Sequence, residues 1–164
     1  MELGEVCEIE KGISITKAKI THGDIPVIAG GQQPAYYHNR SNREGQTITV
    51  SASGAYAGFI NFFEIPIFAS DCTTIKSKNE NKLLTKFIFH FVKSRQREVY
   101  KLQKGMGQPH VYGKELAKIK IPLPSLEIQK HLVAEMEEQE KIIEGNKKLV
   151  GIMEQKITEV LSEI

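Results

Sequence analysis

The sequence contains only two cysteines, Cys7 and Cys72, which lie far apart and form no C-x-x-C pair. This scarcity argues against a disulfide framework and a zinc knuckle, and it fits a reducing cytoplasm. No apolar run is long enough to cross a bilayer, and Met1 is followed by Glu2 and Glu5 rather than by a signal peptide. We therefore expect a cytoplasmic protein that neither spans a membrane nor is secreted.

The sequence also lacks the residue spacings that most active sites require. Asp71 and Cys72 could join a distant histidine in a nucleophilic triad, but no nucleophile elbow accompanies them, so Cys72 is better explained as a buried strand residue. The glycines form no phosphate-binding loop, no methyltransferase cofactor motif is present, and the histidines have no metal-ligand spacing. The histidines are His22, His38, His90, His110 and His131. These absences favour a binding protein without catalytic residues, metal or cofactor, and leave a hydrolase using Cys72 as a weak alternative.

Proline is absent from residues 125–164, where apolar positions recur in a seven-residue repeat. Alternating steps of four and three residues place two rows of side chains on one face, the pattern of a coiled coil. The rows contain Leu132, Met136, Gln139, Ile143, Asn146, Val150, Met153, Ile157, Val160 and Ile164. We predict a helix of about 55 Å beginning after an N-cap at Ser125 and pairing with a second helix. The alternative is a helix that folds back on its own body.

Two features modify this helical face. Gln139 and Asn146 place polar groups in the middle of one row, where residues from two antiparallel helices can face each other and fix the register. Ile142, Leu149 and Leu161 widen the apolar stripe, which suits packing against more than one surface.

Residues 1–124 have the pattern of an α+β domain. We predict strands over 24–28, 46–50, 59–63, 65–69 and 72–76, further strands over 3–10 and 118–121, a helix over 82–102 and one helical turn over 113–117. The run of short strands with tight turns favours a small, curled, mixed or antiparallel sheet with packed helices. His90 lies beside the apolar stripe of the helix, where a packed histidine is more common than a ligand. The prediction is thus a recognition domain at 1–124 followed by a coiled-coil helix at 125–164.

Charge is divided unevenly along the chain. Residues 1–125 carry 17 lysines and arginines against 11 acidic residues, whereas residues 126–164 carry 5 lysines against 9 glutamates. A basic body suits a polyanion, and an acidic helix should avoid one. The segment 32–43 adds glutamines, tyrosines, asparagine and arginine, which can contact base edges and phosphates. An ordinary polar surface loop is the alternative for this segment.

The order of several motifs resembles one half of the specificity subunit of type I restriction–modification systems. The motifs are L-G-E-V-C-E-I-E-K-G at 3–12, I-P-V-I-A-G-G at 25–31, T-V-S-A-S-G-A-Y-A-G-F-I at 49–60, F-A-S-D-C-T-T-I at 68–75, Q-K-G-M-G-Q-P-H-V at 103–111 and L-A-K-I-K-I-P-L-P-S-L-E-I-Q at 116–129. Each motif alone is weak, but six in this order, followed by a long helix, form a specific match.

The resemblance implies a target recognition domain and a spacer helix that pairs antiparallel with a second spacer. It implies double-stranded DNA, an adenine methyltransferase subunit and a restriction subunit as partners, with S-adenosylmethionine bound only by the methyltransferase. The usual subunit has two recognition domains and two spacers, whereas this sequence has one of each. It is therefore expected to be a half-subunit that homodimerises, a fragment, or the C-terminal tail of a fused methylase.

The resemblance also places DNA contacts on the polar segments between strands. Lys17 and Lys19 are assigned to phosphate. Base or backbone contacts are assigned to Gln32, Gln33, Tyr36, Tyr37, His38, Asn39, Arg40 and Arg43. Second choices, on motifs shared across the family, are Ser53, Tyr56, Lys104, Gln108 and His110. A protein–protein adaptor with a dimerisation helix remains the competing hypothesis from another class.

Overall fold

The computed structural model describes residues 1–162, which form seven strands and five helices. The strands are β1 (Cys7–Lys11), β2 (Ile25–Ile28), β3 (Tyr36–His38), β4 (Thr47–Ser51), β5 (Ile60–Phe63), β6 (Phe68–Ala69) and β7 (Cys72–Ser77). The helices are α1 (Leu3–Val6), α2 (Thr85–Ser94), α3 (Gln96–Tyr100), α4 (Gly113–Leu116) and α5 (Leu126–Ser162), with a short 3-10 helix over Lys17–Lys19. No helix within this described range is long and apolar enough to span a membrane.

Two small sheets make up the body. The first is antiparallel with the order β1-β7-β4-β5, and the second has the order β3-β2-β6, in which β2 runs antiparallel to β3 and parallel to β6. The central strands β4 and β7 are buried on both faces, which explains their β-branched composition, T-I-T-V-S and C-T-T-I-K-S. The predicted class, α+β with mixed sheets and a long C-terminal helix, is confirmed.

The main core lies between the first sheet and the helices. Ile48 and Ile75 pair directly across β4 and β7 and are essentially inaccessible to solvent. Helix α2 buries Phe87, Ile88 and Val92 against them, as its apolar spacing predicts. A smaller cluster under the second sheet contains Ile28, Ile67, Ala69 and Cys72.

Of the two predicted strands near the ends of the body, 3–10 is confirmed only over residues 7–10, and 118–121 is wrong. The first turn of the predicted strand 3–10 is α1, because Glu2 and Glu5 form a capping box and the Leu3 N–H donates to the Ile119 carbonyl (2.9 Å). Only residues from Cys7 onward enter the sheet. The predicted strand 118–121 makes a single bridge, between Glu2 and Lys120, and no ladder. Its apolar residues pack into the core without strand pairing.

The predicted helix 82–102 is two shorter helices. Helix α2 begins at Thr85 and ends before Arg95, whose backbone (φ −103°, ψ 24°) is not helical. The Arg95 guanidinium lies over the Phe91 ring at 4.6 Å, and Val99 on α3 returns to the core. The break therefore redirects the apolar stripe so that both helices pack on the same sheet.

Helix α5 begins one residue after Ser125, and the Ile128 N–H donates to the Ser125 hydroxyl (3.4 Å), as an N-cap requires. Its first turns belong to the body, because Gln129 and Val133 are buried and Leu132 packs against the core. The fold-back alternative is thus correct for this part of the helix. From residue 138 onward every described residue is exposed. Ile164, predicted in the dimer seam, lies outside the described residues.

Candidate nucleic-acid interface

Several predicted site residues meet where β4 ends and β7 begins. The Ser53 hydroxyl donates to the Asp71 carboxylate, and the Ala52 N–H donates to the Asp71 carbonyl (3.2 Å). The turn after β2 reaches the same place, since a Cβ on Gly30 would lie 2.8 Å from the Ser53 carbonyl oxygen. Only glycine permits this close approach. We call this end of the first sheet, with its loops 30–33, 52–58 and 103–110, the loop edge.

The small-residue loop 52–58 is supported from the core side by two glutamines, Gln96 on α3 and Gln103 in the segment that follows it. Gln96 accepts from the Ile60 N–H (3.0 Å) and donates to the Gly58 carbonyl (2.7 Å), while Gln103 donates to the Ala57 carbonyl (2.7 Å). This support leaves Tyr56 46% exposed at the outside of the turn. An exposed aromatic ring on a fixed loop can stack on a base or donate to a phosphate.

The loop 104–110 is closed by a pair of backbone bonds between Lys104 and His110 (2.9 and 2.8 Å). The Pro109 carbonyl accepts from the Gly54 N–H (3.0 Å), which joins this loop to the small-residue loop. Gln108 and Met106 are exposed, whereas His110 is half-buried and stacks on Tyr112 at 6.1 Å. The structure thus brings Ser53, Tyr56 and His110 together, although they are separated in sequence.

The second sheet carries the other candidates. Tyr36 and Tyr37 are 41% and 55% exposed on β3, its edge strand, which is a strand within a segment predicted to be loop. Asn39 and Arg40 follow it and are exposed. The Asn39 N–H donates to the Thr21 carbonyl (3.1 Å), so the segment that contains the exposed Lys17 and Lys19 runs beside β3. Gln32 and Gln33 are exposed on the β2–β3 turn, which belongs to the loop edge, and the Gln32 carbonyl accepts from the Asn61 side chain on β5 (3.1 Å).

Two predicted contact residues have structural roles instead. His38 is 7% exposed, its Nδ1 lies 3.1 Å from both the N–H and the carbonyl oxygen of Thr21, and its ring meets Phe68 edge-on. Arg43 donates to the Thr74 hydroxyl (3.0 Å) and pairs with Glu10 (2.9 Å) across the first sheet. Both side chains are occupied within the body, so the structure argues against direct DNA contact by either of them.

Lys104 is a weaker candidate than its position suggests. Its Nζ lies 2.9 Å from a Glu115 carboxylate oxygen, and Lys118 lies 3.2 Å from the other. Hydrogen bonds from Lys104 and Lys118 lower the pKa of Glu115, which therefore stays ionised and offsets their charge. The exposed Lys17, Lys19 and Arg40 are the better phosphate candidates.

Sequence reasoning missed the residues that hold these loops in place. Asp71 anchors Ser53, and Asn42 bonds to both the N–H and the carbonyl of Ala69 (2.7 and 2.9 Å), as a further strand residue would. Gln96 and Gln103 support the small-residue loop. The sequence offers one signal for these supporting residues. Gln96 is a polar residue between the apolar Val92 and Val99, which are buried on the same helical layer.

Cys72 does not have the environment of a nucleophile. It is fully buried, its Sγ points at the Ile28 carbonyl (3.6 Å), and burial raises its pKa to about 12. Cys7 is also buried, with its pKa raised to about 12 for the same reason. His90 is packed at the α2–α5 contact, 3.5 Å from Glu140. Within residues 1–162, no cluster of three or more histidine, cysteine or acidic side chains could hold a metal ion.

Comparison with known proteins identifies the family of the chain. The family model described as the type I restriction modification DNA specificity domain matches residues 1–161. A putative type I specificity subunit of Mycoplasma pneumoniae is 30% identical over 144 residues, covering 80% of this chain and 53% of the relative. The MpnII specificity subunit of the same organism is also 30% identical, with 40% of its length covered. The chain thus spans about half the length, or less, of the relatives it matches.

Solved structures share the fold. The S subunit of a type I restriction–modification system from M. genitalium superposes with a TM-score of 0.78 at 21% identity, covering 93% of this chain and 41% of that one. The HsdS subunit of Thermoanaerobacter tengcongensis superposes with a TM-score of 0.67 at 20% identity, covering 88% of this chain and 38% of that one. The match of the family model over almost the whole sequence shows that this chain belongs to the DNA specificity domain family of type I restriction–modification systems.

Proposed function

We propose that this protein recognises one half of a bipartite DNA site, and that two copies joined through α5 hold two such recognition bodies apart. The observation that carries the proposal is the placement of two surfaces. Exposed tyrosine, amide and basic side chains collect at the loop edge and on the adjoining second sheet. The helix is anchored beyond the other end of β7, through Gln129 and the segment 82–84. The base of the helix and the proposed DNA surface therefore lie at opposite ends of the first sheet.

The chemistry of the first surface fits duplex DNA. Lys17, Lys19 and Arg40 can contact phosphates, and Gln32, Gln33 and Asn39 carry the paired donor and acceptor that read adenine in the major groove. Tyr36, Tyr37 and Tyr56 offer exposed rings next to them.

The remaining roles follow from the family. We propose an adenine methyltransferase subunit and a restriction subunit as partners, with S-adenosylmethionine bound by the methyltransferase, so that this chain is not itself an enzyme. A cytoplasmic location accords with these partners. The same residues would serve if the chain were the specificity tail of a fused methylase.

Fluorescence anisotropy with mixed-sequence duplexes, at falling salt and with or without the methyltransferase subunit, tests the DNA assignment. Binding should weaken steeply as salt rises, because lysine and arginine release counterions from phosphate. Arg40→Ala should weaken binding by roughly fivefold to tenfold and lower the salt dependence. The control is Lys120→Ala, an exposed lysine beside Glu2 at the other end of the first sheet, which should change little.

Two results would contradict the proposal. The first is the absence of binding at low salt even with the methyltransferase present. The second is equal loss in both variants, which would mean that binding reflects net charge rather than this surface. A protein partner captured without DNA and unaffected by Arg40→Ala would favour the adaptor hypothesis.

A further inference from the structure

We propose that the groove between α2 and α5 is the docking site for the distal end of α5 from a second copy, in one antiparallel register. In that register Leu132 faces the partner's Ile157 and Met136 faces the partner's Met153. The inference rests on the proposed homodimer and adds which surfaces meet. The homodimer alone requires only that two helices pair.

The groove is open, with a volume of about 480 Å³. Leu132 and Met136 are half-buried apolar residues of its lining, His90 and Lys93 line it from α2, and Glu135, Gln139 and Glu140 complete it on α5. A surface that is apolar at its centre and charged along its sides suits an amphipathic helix.

The apolar face of the groove continues directly into the exposed stripe of the distal helix. Ile143, Val150, Met153 and Ile157 follow Leu132 and Met136 in the same two rows and are each more than half exposed. A second copy of the helix presents the same rows. An antiparallel partner that covers the exposed stripe therefore also reaches the groove with its last turns.

The flanking charges select the register. With Met136 opposite the partner's Met153, Glu135 lies opposite the partner's Lys156 and Glu140 lies opposite the partner's Lys147. Two-fold symmetry makes each of these pairs occur twice. Opposite charges at flanking positions of a coiled coil set orientation and partner choice. Ile142 falls beside the partner's Leu149, which accounts for the extra width of the apolar stripe.

Other registers bring like charges together. A shift of one heptad in one direction places Glu140 against its own symmetry mate. A shift in the other direction places Lys147 against its symmetry mate and Glu140 against the partner's Glu154. A parallel pair would place Glu135 against the partner's Glu140. Like charges at these positions are destabilising, so the first register is favoured.

In this register Asn146 faces the partner's Ile143, and Gln139 faces the partner's Val150. The two polar residues from opposite copies then occupy neighbouring layers, about one helical turn apart, rather than the same layer. This arrangement refines the expectation that they face each other directly.

Charge reversal with rescue tests the register, using sedimentation equilibrium to measure dimer dissociation. Glu140→Lys and Lys147→Glu, made singly, should each weaken the dimer by roughly fivefold to tenfold, because each places like charges opposite one another twice. The double variant should return to within about twofold of the unchanged protein. A double variant that dimerises no better than either single variant would overturn the register. A monomeric unchanged protein would instead overturn the proposed homodimer.

Thiol crosslinking gives an independent readout, because both native cysteines are buried. With a short bismaleimide, the double variant Met136→Cys, Met153→Cys should crosslink between copies. The matched variant Met136→Cys, Val160→Cys, whose sites face each other only in a shifted register, should not. Preferential crosslinking of the second variant would overturn the proposal.

Discussion

The two halves of α5 have similar sequences and opposite environments. In residues 126–140 Leu132 and Val133 pack against the core, and the buried Gln129 bonds to three backbone groups. In residues 141–162 the same kind of apolar repeat is exposed along its whole length. The comparison teaches that a heptad pattern predicts a helix that needs a partner surface, but not whether the same chain provides it.

The two halves differ in the polar residues that lie beside the apolar rows. The proximal half has Gln129, whose amide satisfies the Leu84 N–H (2.8 Å) and the carbonyls of Lys82 and Pro124 (2.9 Å each). It also has Glu137, which pairs with Lys86 at 2.7 Å. These polar side chains therefore form hydrogen bonds and an ion pair with particular groups of the body. The distal half has no comparable contact with the body among the described residues, which is why its apolar stripe remains available.

The largest effect is expected in the distal half. Ile143→Asp combined with Ile157→Asp should convert a dimer into a monomer, because each change places a charge in the seam at two symmetry-related places. Multi-angle light scattering measures the mass, and the far-ultraviolet circular dichroism of the body should be retained. A dimer that survives both changes would show that this stripe is not the seam.

The next effect is expected in the proximal half. In the monomeric background of the double aspartate variant, Gln129→Leu should lower the free energy of unfolding by about 3 kcal/mol, since it leaves three backbone groups without partners. Urea denaturation measures the change. Gln139→Leu is the matched control on the exposed side and should stay within about 0.5 kcal/mol. Equal effects would mean that the two halves do not differ in the way their contacts indicate.

The smallest effect concerns pH. A hydrogen bond from Lys86 lowers the pKa of Glu137, so the pair stabilises the folded state above the unfolded carboxyl pKa near 4.5. That contribution is lost as the pH falls through the lower, folded pKa, and solvent exposure limits it to under about 1 kcal/mol. Thermal melts of the monomeric background between neutral pH and pH 3 should therefore show a smaller acid loss for Glu137→Gln. Glu144→Gln, on the exposed half, should retain the full loss.

The features that sequence predicted best depend on local pattern. Residues 47–51 and 72–77 are β-branched runs, and they form the two central strands. Ser125 follows Pro124 and precedes an apolar repeat, and it caps the helix. In these segments the local preference and the tertiary environment agree, so the prediction needs no knowledge of distant residues.

The features that sequence missed depend on distant partners. Leu3 begins a helical turn because its N–H donates to Ile119, and Arg43 is a structural residue because Thr74 and Glu10 lie across the sheet from it. His38 resembles a surface histidine in sequence and becomes buried only when Phe68 and Thr21 pack around it. For the site, the DNA-contact residues stay a prediction; polar composition selected the segments, and only the fold separates their exposed side chains from those bonded within the body.

Because Gln129 bonds to three backbone groups at the base of α5, the helix can act as a lever that pivots at this residue. The helix is held at its base by these three hydrogen bonds and by core packing, and its described residues 141–162, roughly 33 Å of helix, are all exposed. A rotation of a few degrees about Gln129 therefore displaces the distal end of the described helix by several ångströms. The accuracy with which two bodies could be spaced would thus depend on how firmly Gln129, Val133 and the Lys86–Glu137 pair hold the base of the helix, as well as on the helix itself.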